Sequence, residues 1–320
     1  MAAALSKERL GGTCLLNLCA GGETLLSNEV LPLVKALLEE GHFVMIVTNG
    51  TVSQRFRELT QWPSTLRSRL FIKFSFHYLE MVRLGWIERF FDNVKLMKES
   101  GVSLTVEVTP SDELIPHIED LKRICMEHLG ALCHVTIARD DRTNGIDVLS
   151  DLNYDEYKKV WGQFDSELFR FKSELFFKNR KEFCYAGDWS AYLNLETGIL
   201  TQCYCGKKIC NIYEESGPIP FRAIGKNCSL PHCYNGHAFL ALGDIPELQT
   251  PTYADVRNRV CTDGSEWLAP GMKEVMQSKL SESNEEYSFW QKMRSYDLRG
   301  KVKRSVLYQK MRELKVKLRG

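Results

Sequence analysis

The chain has 320 residues, 44% of them hydrophobic and 26% charged, which is enough for one large domain or two smaller ones. No run reaches 18 apolar residues, and the first residues lack the basic stretch and apolar core of a secretory signal. We therefore expect a cytoplasmic protein without a membrane span. Lysine and arginine number 42, against 41 aspartates and glutamates, so the total charge argues against nucleic acid as a partner.

Five short apolar runs follow one another at nearly even spacing. They begin at residues 13, 42, 70, 103 and 132. Each interval fits one strand plus a crossover helix. Helical periodicity between the runs is clearest in 28–40, 86–99 and 111–129, and another helix is expected near 154–171. The sequence therefore predicts an α/β fold with five parallel strands.

Polar residues and glycines follow the first three predicted strands. They are Gly21, Gly22, Glu23, Thr48, Asn49, Ser75 and His77. Ligands of parallel sheets and barrels bind at this carboxyl end of the strands. Two glycines let a ligand approach the backbone without a Cβ atom in the way, and Glu23 adds an anion that can hold an ammonium group. An amino acid's α-amine would suit this site. The plain alternatives are a tight turn at the glycines and a helix-capping or core role for His77.

The chain has eleven cysteines, and without an export signal they indicate thiols kept for metal or burial. Six crowd into one segment: Cys184, Cys203, Cys205, Cys210, Cys228 and Cys233. A turn at 195–198 predicts a hairpin with Cys184 and Cys203 on its two arms, and Cys228 and Cys233 add a pair. Four thiolates complete a tetrahedral zinc site or supply one ligand to each iron of a 4Fe-4S cluster.

The cysteine spacing favours iron and sulfur. Cys-x2-Cys pairs, which zinc ribbons use, are absent from this segment. An iron-sulfur cluster is therefore favoured over zinc, and zinc over burial without a metal. Cys205 and Cys210 are surplus to a four-ligand site.

The end of the chain is basic and reads as helix from about residue 270. Its last thirty residues hold eleven lysines and arginines against Asp297 and Glu313. Such a run is usually a solvated helix face, and the alternative is contact with an acidic partner or RNA. We expect three parts: the α/β part at 1–150, a helix and cysteine-rich part at 151–260, and a basic helical tail at 261–320.

Taken together, residues 10 to 260 resemble radical S-adenosylmethionine proteins with a C-terminal extension of the SPASM or twitch type. The resemblance is carried by residues 18–26, 46–51 and 72–77, and by Cys184, Cys203, Cys228 and Cys233. It implies a partial parallel (β/α) barrel that binds S-adenosylmethionine, with Gly21, Gly22 and Glu23 at the methionine amine. It also implies an auxiliary 4Fe-4S cluster on the four cysteines. Many such proteins modify peptides, so a peptide substrate is implied at the level of the family.

The chain departs from that family at the catalytic cluster. The Cys-x3-Cys-x2-Cys motif that follows the family's first strand is absent. The five predicted strands then correspond to units two to six of the barrel, with the first unit missing. Cys14 and Cys19 have opposite parity along one predicted strand, so they point to opposite faces. Intact relatives would generate a 5′-deoxyadenosyl radical, whereas we expect this chain not to cleave S-adenosylmethionine.

Two other functions stay open from the residues alone. A doubly wound nucleotide- or sugar-binding domain would place Gly21 and Gly22 at a phosphate and would carry a zinc-stapled appendage. Against it, Gly-x-Gly-x-x-Gly is absent and Glu23 would repel a phosphate. A non-enzymatic scaffold would use the cluster for structure and the basic tail for a partner.

Overall fold

The computed structural model describes residues 1–143, 145–178, 180, 182–204, 206–226, 228, 230–243, 245–278, 286–294, 308 and 310–311. The chain divides into two compact units. The first comprises Met1–Glu174 and Pro251–Glu282, and the second comprises Leu175–Thr250 and Ser283–Gly320. These bounds differ from the expected three parts, because the chain returns to the first unit after the cysteine-rich segment. Half of the predicted tail at 261–320, including most of its basic last thirty residues, lies outside the described residues.

The first unit is built on a five-stranded parallel sheet. Its strands are β1 (Leu15–Leu18), β2 (Phe43–Thr48), β3 (Leu70–Ser75), β4 (Ser103–Val108) and β5 (His134–Val135). The strands stand in the sheet in chain order. The α/β fold with five parallel strands is thereby confirmed. The order never reverses, so the sheet lacks the switch point of a doubly wound fold, and the doubly wound arrangement is wrong. One-directional winding is the arrangement of an open section of a barrel.

The described residues also contain short strands and a set of helices. The further strands are β6 (Arg139–Asp140), β7 (Asp147–Val148), β8 (Tyr192–Leu193), β9 (Ile199–Thr201) and β10 (Lys208–Asn211). The α-helices are α1 (Lys7–Leu10), α2 (Val30–Glu40), α3 (Ser53–Thr60), α4 (Ser64–Arg67), α5 (Tyr78–Leu84), α6 (Ile87–Glu99), α7 (Ile118–Leu129), α8 (Tyr154–Gly162), α9 (Glu167–Leu175), α10 (Ala238–Ala241), α11 (Pro270–Gln277) and α12 (Phe289–Arg294). In this part of the chain no helix is long and apolar enough to cross a membrane.

Two predicted helices are altered by local backbone chemistry. The helix expected at 111–129 opens with a 3-10 helix, Asp112–His117, and becomes α-helical at Ile118. Pro116 explains the change, since it has no N–H for an α-helical hydrogen bond. The helix expected near 154–171 is split into α8 and α9, and Asp165 between them has a left-handed φ of 47°. Most residues avoid that conformation inside a helix.

The two faces of the sheet differ in polarity. One face is apolar and packs on helices: the Phe74 ring lies 5.5 Å from Phe56 of α3 and 5.7 Å from Phe90 of α6. The opposite face, called the polar face below, carries the apolar Met45, Val47 and Phe71 together with Lys73, Ser75, Ser103, Thr105, Glu107 and His134. Residues paired across parallel strands point to the same side, which is why these polar side chains share a face.

The returning segment 251–269 covers the polar face. Arg257 pairs with Glu107 at 2.6 Å, the Asn258 carbonyl lies 3.1 Å from His134 Nε2, and the Ala269 N–H donates to Ser103 Oγ at 2.9 Å. Polar groups in a protein interior need such partners. Residues of the later segment therefore supply ionic and hydrogen-bond partners for the polar side chains of this face.

The second unit contains a three-stranded antiparallel sheet in the order β10-β9-β8. The turn predicted at 195–198 joins β8 to β9, and Gly198 adopts the left-handed φ of 71° that it requires. Cys203 follows β9. Cys184, however, lies outside the hairpin and pairs with Gly225 through two backbone hydrogen bonds of 3.0 and 2.9 Å. The expectation of a thiol on each arm is therefore wrong for Cys184.

His134 should make the fold sensitive to acid. Burial, helped by the charges of Arg259 and Arg257, lowers its pKa to about 3, whereas histidine in an unfolded chain titrates near 6.5. The stabilisation from the neutral ring is present in full above about pH 6.5 and is lost as the pH falls toward 3. Between pH 7 and pH 5 this group should remove about 2 kcal/mol from the free energy of unfolding.

Urea titrations of the wild type and of His134→Gln at the two pH values test this expectation. The variant lacks the titrating ring, so it should lose about 2 kcal/mol less than the wild type over this range. An equal loss in both proteins would contradict it.

Candidate functional site

The Glu23 carboxylate is fixed between the ends of the first two strands. Its Oε1 accepts hydrogen bonds from Thr48 Oγ1 at 2.6 Å and from the Leu25 N–H at 2.9 Å. Its Oε2 accepts from the Asn49 N–H at 2.7 Å. Glu23 also caps a 3-10 helix, Thr24–Leu26, and its side chain is half-buried. The structure thus joins three of the predicted site residues, Glu23, Thr48 and Asn49, by direct contact.

Gly21 and Gly22 are glycines that the fold itself does not require. Both are exposed, and neither has a left-handed φ. A Cβ atom built on either one would meet no heavy atom within 4 Å. The space next to the Glu23 carboxylate is therefore open on the side of these two residues. Their backbone N–H and C=O groups can be approached closely by a ligand.

Gly50 is a glycine of the opposite kind. It is buried in the neighbouring loop with a φ of 76°, and a Cβ atom there would lie 2.7 Å from the Phe90 ring. Its glycine is explained by backbone conformation and packing together. The contrast with Gly21 and Gly22 separates glycines that serve the fold from glycines that leave room beside Glu23.

Ser75 and His77 lie at the end of the next strand. Ser75 is the last residue of β3 and is half-buried, and its cross-strand partner is Glu107 of β4. His77 precedes α5, its side chain is exposed, and it makes no side-chain capping hydrogen bond. The core role considered for His77 is therefore wrong, whereas the residue does occupy the N-cap position of α5. Because β3 is adjacent to β2, both residues lie at the same carboxyl edge of the sheet as Glu23.

The sequence reasoning missed a buried ion network on the polar face. The Glu107 carboxylate is 2.6 Å from Lys73 Nζ through Oε1 and 2.6 Å from Arg257 Nη1 through Oε2. Burial raises the pKa of Glu107, but positive charges on Lys73, Arg257 and Lys172 outweigh that effect and hold the pKa well below its usual range. Charges inside the apolar runs 70–75 and 103–108 were a usable signal for Lys73 and Glu107. No local pattern marks Arg257.

The four predicted cluster cysteines lie near one another in the second unit. Cys184 and Cys203 are buried, and Cys228 and Cys233 are half-buried. Burial raises the pKa of Cys184, and charges on Cys233, Cys228 and Cys203 raise it further. The Asn235 side-chain amide donates to Cys203 Sγ at 3.3 Å. In the described residues, no group of three or more His, Cys, Asp or Glu side chains is already arranged to hold a metal ion.

The remaining cysteines have ordinary surroundings. Cys210 is buried in β10, and Cys205 lies outside the described residues. Cys14 precedes β1 and Cys19 follows it, so the strand separates them. Burial raises the pKa of Cys14 to about 11. Cys125 and Cys133 are fully buried. The described cysteines are free thiols and form no disulfides.

Comparison with known proteins gives partial structural likenesses. No family model matches the chain. No curated protein matches it either. The crystal structure of SuiB from Streptococcus suis has 15% identity and a TM-score of 0.46, over 67% of this chain and 56% of that one. SuiB bound to S-adenosylmethionine has 16% identity and a TM-score of 0.41, over 63% and 52%. Native anSMEcpe with bound AdoMet and Kp18Cys peptide has 13% identity and a TM-score of 0.43, over 67% and 69%. The chain thus spans little more than half the length of the SuiB chains.

The two kinds of glycine should respond differently to a methyl group. Gly22→Ala should change the free energy of unfolding by less than about 1 kcal/mol, because its Cβ enters open space and its φ is permitted. Gly50→Ala should lose more than about 2 kcal/mol through the left-handed φ and the contact with Phe90. Urea denaturation of both variants measures the difference. A comparable loss in Gly22→Ala would show that the fold requires that glycine.

Proposed function

We propose that this chain binds S-adenosylmethionine at the ends of β1, β2 and β3 and carries a 4Fe-4S cluster on Cys184, Cys203, Cys228 and Cys233. It would then be a protein of the radical S-adenosylmethionine type, with a partial parallel barrel and a SPASM- or twitch-like extension. The observation that carries the proposal is the fixed Glu23 carboxylate beside two glycines that the fold does not need.

The chemistry of the pocket suits the amino-acid end of the ligand. A carboxylate held by three hydrogen bonds is already oriented, so an arriving ammonium group gains a charge-assisted bond without ordering the side chain first. The open backbone at Gly21 and Gly22 supplies further acceptors and donors. A phosphate would be repelled by the same carboxylate, which favours an amine over a nucleotide phosphate at this position.

The neighbouring polar residues extend the pocket along the strand ends. Thr48 and Asn49 hold Glu23, and Asn49 also organises its own loop by accepting from the Thr51 N–H at 3.1 Å. Ser75, which is half-buried at the end of β3, and His77, which is exposed just after it, carry side chains that can form hydrogen bonds to the rest of the ligand. We assign Glu23, Gly21 and Gly22 to the amine, and Ser75 and His77 to its more distant polar groups.

The four thiols fit an iron-sulfur cluster by number and by surroundings. One thiolate for each iron completes a 4Fe-4S site, and the Asn235 amide on Cys203 is the kind of hydrogen bond that tunes the potential of a cluster. A bound cation favours the thiolate, which offsets the raised pKa of buried Cys184. When bound, such a cluster supplies one-electron transfer. Zinc on the same four thiols is the competing assignment.

We assign no reductive cleavage of S-adenosylmethionine to the described residues. Such cleavage needs an iron with an open position, held by thiolates beside the Glu23 pocket. Only Cys14 and Cys19 flank β1, one at each end, and Cys125 and Cys133 are buried elsewhere in the unit. The proposed substrate class, a peptide, rests on the resemblance to the family alone.

Glu23→Gln should weaken binding of S-adenosylmethionine by about 1 to 3 kcal/mol, because the ammonium group loses its anionic partner. Isothermal titration calorimetry measures the change. Glu29→Gln is the matched control, since Glu29 is an exposed glutamate of the same loop region. Its affinity should equal that of the wild type. Unfolding midpoints of each variant separate a loss of contact from a loss of fold.

Gly22→Ala is a second test of ligand binding in the same pocket. The variant should keep its stability and still bind S-adenosylmethionine at least about tenfold more weakly, since the Cβ would occupy the ligand's approach. Identical titrations for the wild type, Glu23→Gln and Gly22→Ala would remove this pocket from the binding site.

Anaerobic reconstitution with iron and sulfide should give a brown protein with about four irons per chain. Cys184→Ser should lose most of this iron, because its thiol lies beside the other three. Cys210→Ser is the control, since Cys210 lies within β10, and it should keep the cluster. Colourless protein with one zinc per chain would reject the iron-sulfur assignment in favour of zinc.

A further inference from the structure

The buried side chains around Glu107 carry more positive than negative charge. Around Glu107 stand Lys73 and Arg257, each at 2.6 Å, and Lys172 of α9 also acts on it. Arg139, which is close enough to influence Lys172, has its own partner in Asp141 at 2.8 Å. Three cations therefore share one carboxylate. One carboxylate cannot balance three cations, and unbalanced buried charge is costly to a folded protein.

Burial makes this excess significant. Glu107 and Arg257 are 6% and 4% exposed, so water screens their charges poorly. Burial lowers the pKa of Lys172, and although Glu107 opposes this, the charges of Lys73 and Arg257 add to it, so that the pKa is about 8. The neighbourhood of Lys172 thus disfavours another positive charge. An anion beside it would relieve this cost.

Two buried polar atoms of the same place lack a partner within the described residues: Thr105 Oγ1 and Arg257 Nε. Thr105 is the cross-strand neighbour of Lys73, and Arg257 closes the network from the returning segment. Buried donors are normally hydrogen-bonded, so unpaired ones mark a place where a ligand group can be accepted. Both atoms are donors toward an oxyanion.

Of the three cations around Glu107, the two lysines are less buried than Arg257. Lys73 has 19% of its side chain exposed, and Lys172 is half-buried with its Nζ donating to Thr136 Oγ1 at 3.0 Å. Arg257 and Thr105 are buried.

We propose that Lys73, Lys172, Arg257 and Thr105 form a binding site for a phosphate group. A doubly charged phosphate balances the two cations that Glu107 leaves uncompensated, whereas a single carboxylate balances one. Guanidinium, ammonium and hydroxyl donors are the groups that bind phosphate oxygens in proteins. The site uses none of the residues assigned to S-adenosylmethionine. It therefore stands or fails independently of the function proposed above.

Inorganic phosphate is the probe, titrated into the full chain by calorimetry in a chloride buffer of constant ionic strength. Phosphate should bind and should raise the unfolding temperature, while acetate at the same concentration should have little effect. Lys172→Met should weaken phosphate binding at least about tenfold. Lys159→Met is the matched control, because Lys159 is an exposed lysine of the adjacent helix α8, and it should bind phosphate like the wild type.

Stability without phosphate separates a binding site from a purely structural ion network. If Lys172 serves a ligand, Lys172→Met should unfold at the same temperature as the wild type or higher, because a surplus buried cation is removed. A clear fall in the unfolding temperature in phosphate-free buffer would mean that Lys172 is a structural partner, and would overturn the proposal. Unchanged phosphate binding by Lys172→Met would place the phosphate elsewhere and would overturn it too. Glu23→Gln should bind phosphate like the wild type.

Discussion

The buried carboxylate of Glu107 is the interaction on which the first unit depends. It accepts Lys73 from its own sheet and Arg257 from a segment 150 residues further along the chain. Removing this carboxylate would leave both cations unpaired in the interior at a cost of several kcal/mol. This pair therefore fixes the path of the chain, which must return from the second unit to cover the polar face. It explains why 251–269 packs on the sheet and does not begin a separate tail.

The two faces of the sheet and its carboxyl edge have different roles. The apolar face supplies the hydrophobic packing against the helices, through contacts such as those of Phe74. The polar face holds the ion network and the proposed phosphate site. The carboxyl edge carries Glu23, Thr48, Asn49, Ser75 and His77, whose positions follow from where β1, β2 and β3 end. The side chains at this edge lie at the strand ends and in the loops that follow. They can therefore bind a ligand without being part of the hydrophobic core.

What the sequence could predict was local. Apolar runs of six or seven residues between helical segments located β2, β3 and β4 within a residue, because buried parallel strands leave that pattern. Glu23 was placed by the same logic. Partners distant along the chain left no such pattern: Arg257 meets Glu107, and Cys184 pairs with Gly225 and not with the hairpin. Helix α3 was missed because only Phe56 and Leu59 of its eight residues are buried, too few for a clear period.

The central claim is that a ligand amine meets Glu23 at the carboxyl edge of the sheet. Hydrogen-deuterium exchange with and without S-adenosylmethionine tests it most directly, since bound ligand slows exchange of the backbone N–H groups that it covers or orders. The account predicts protection confined to peptides that contain residues 19–27, 47–51 and 73–78. Protection that leaves these three segments unchanged, or no protection at a saturating ligand concentration, would contradict it.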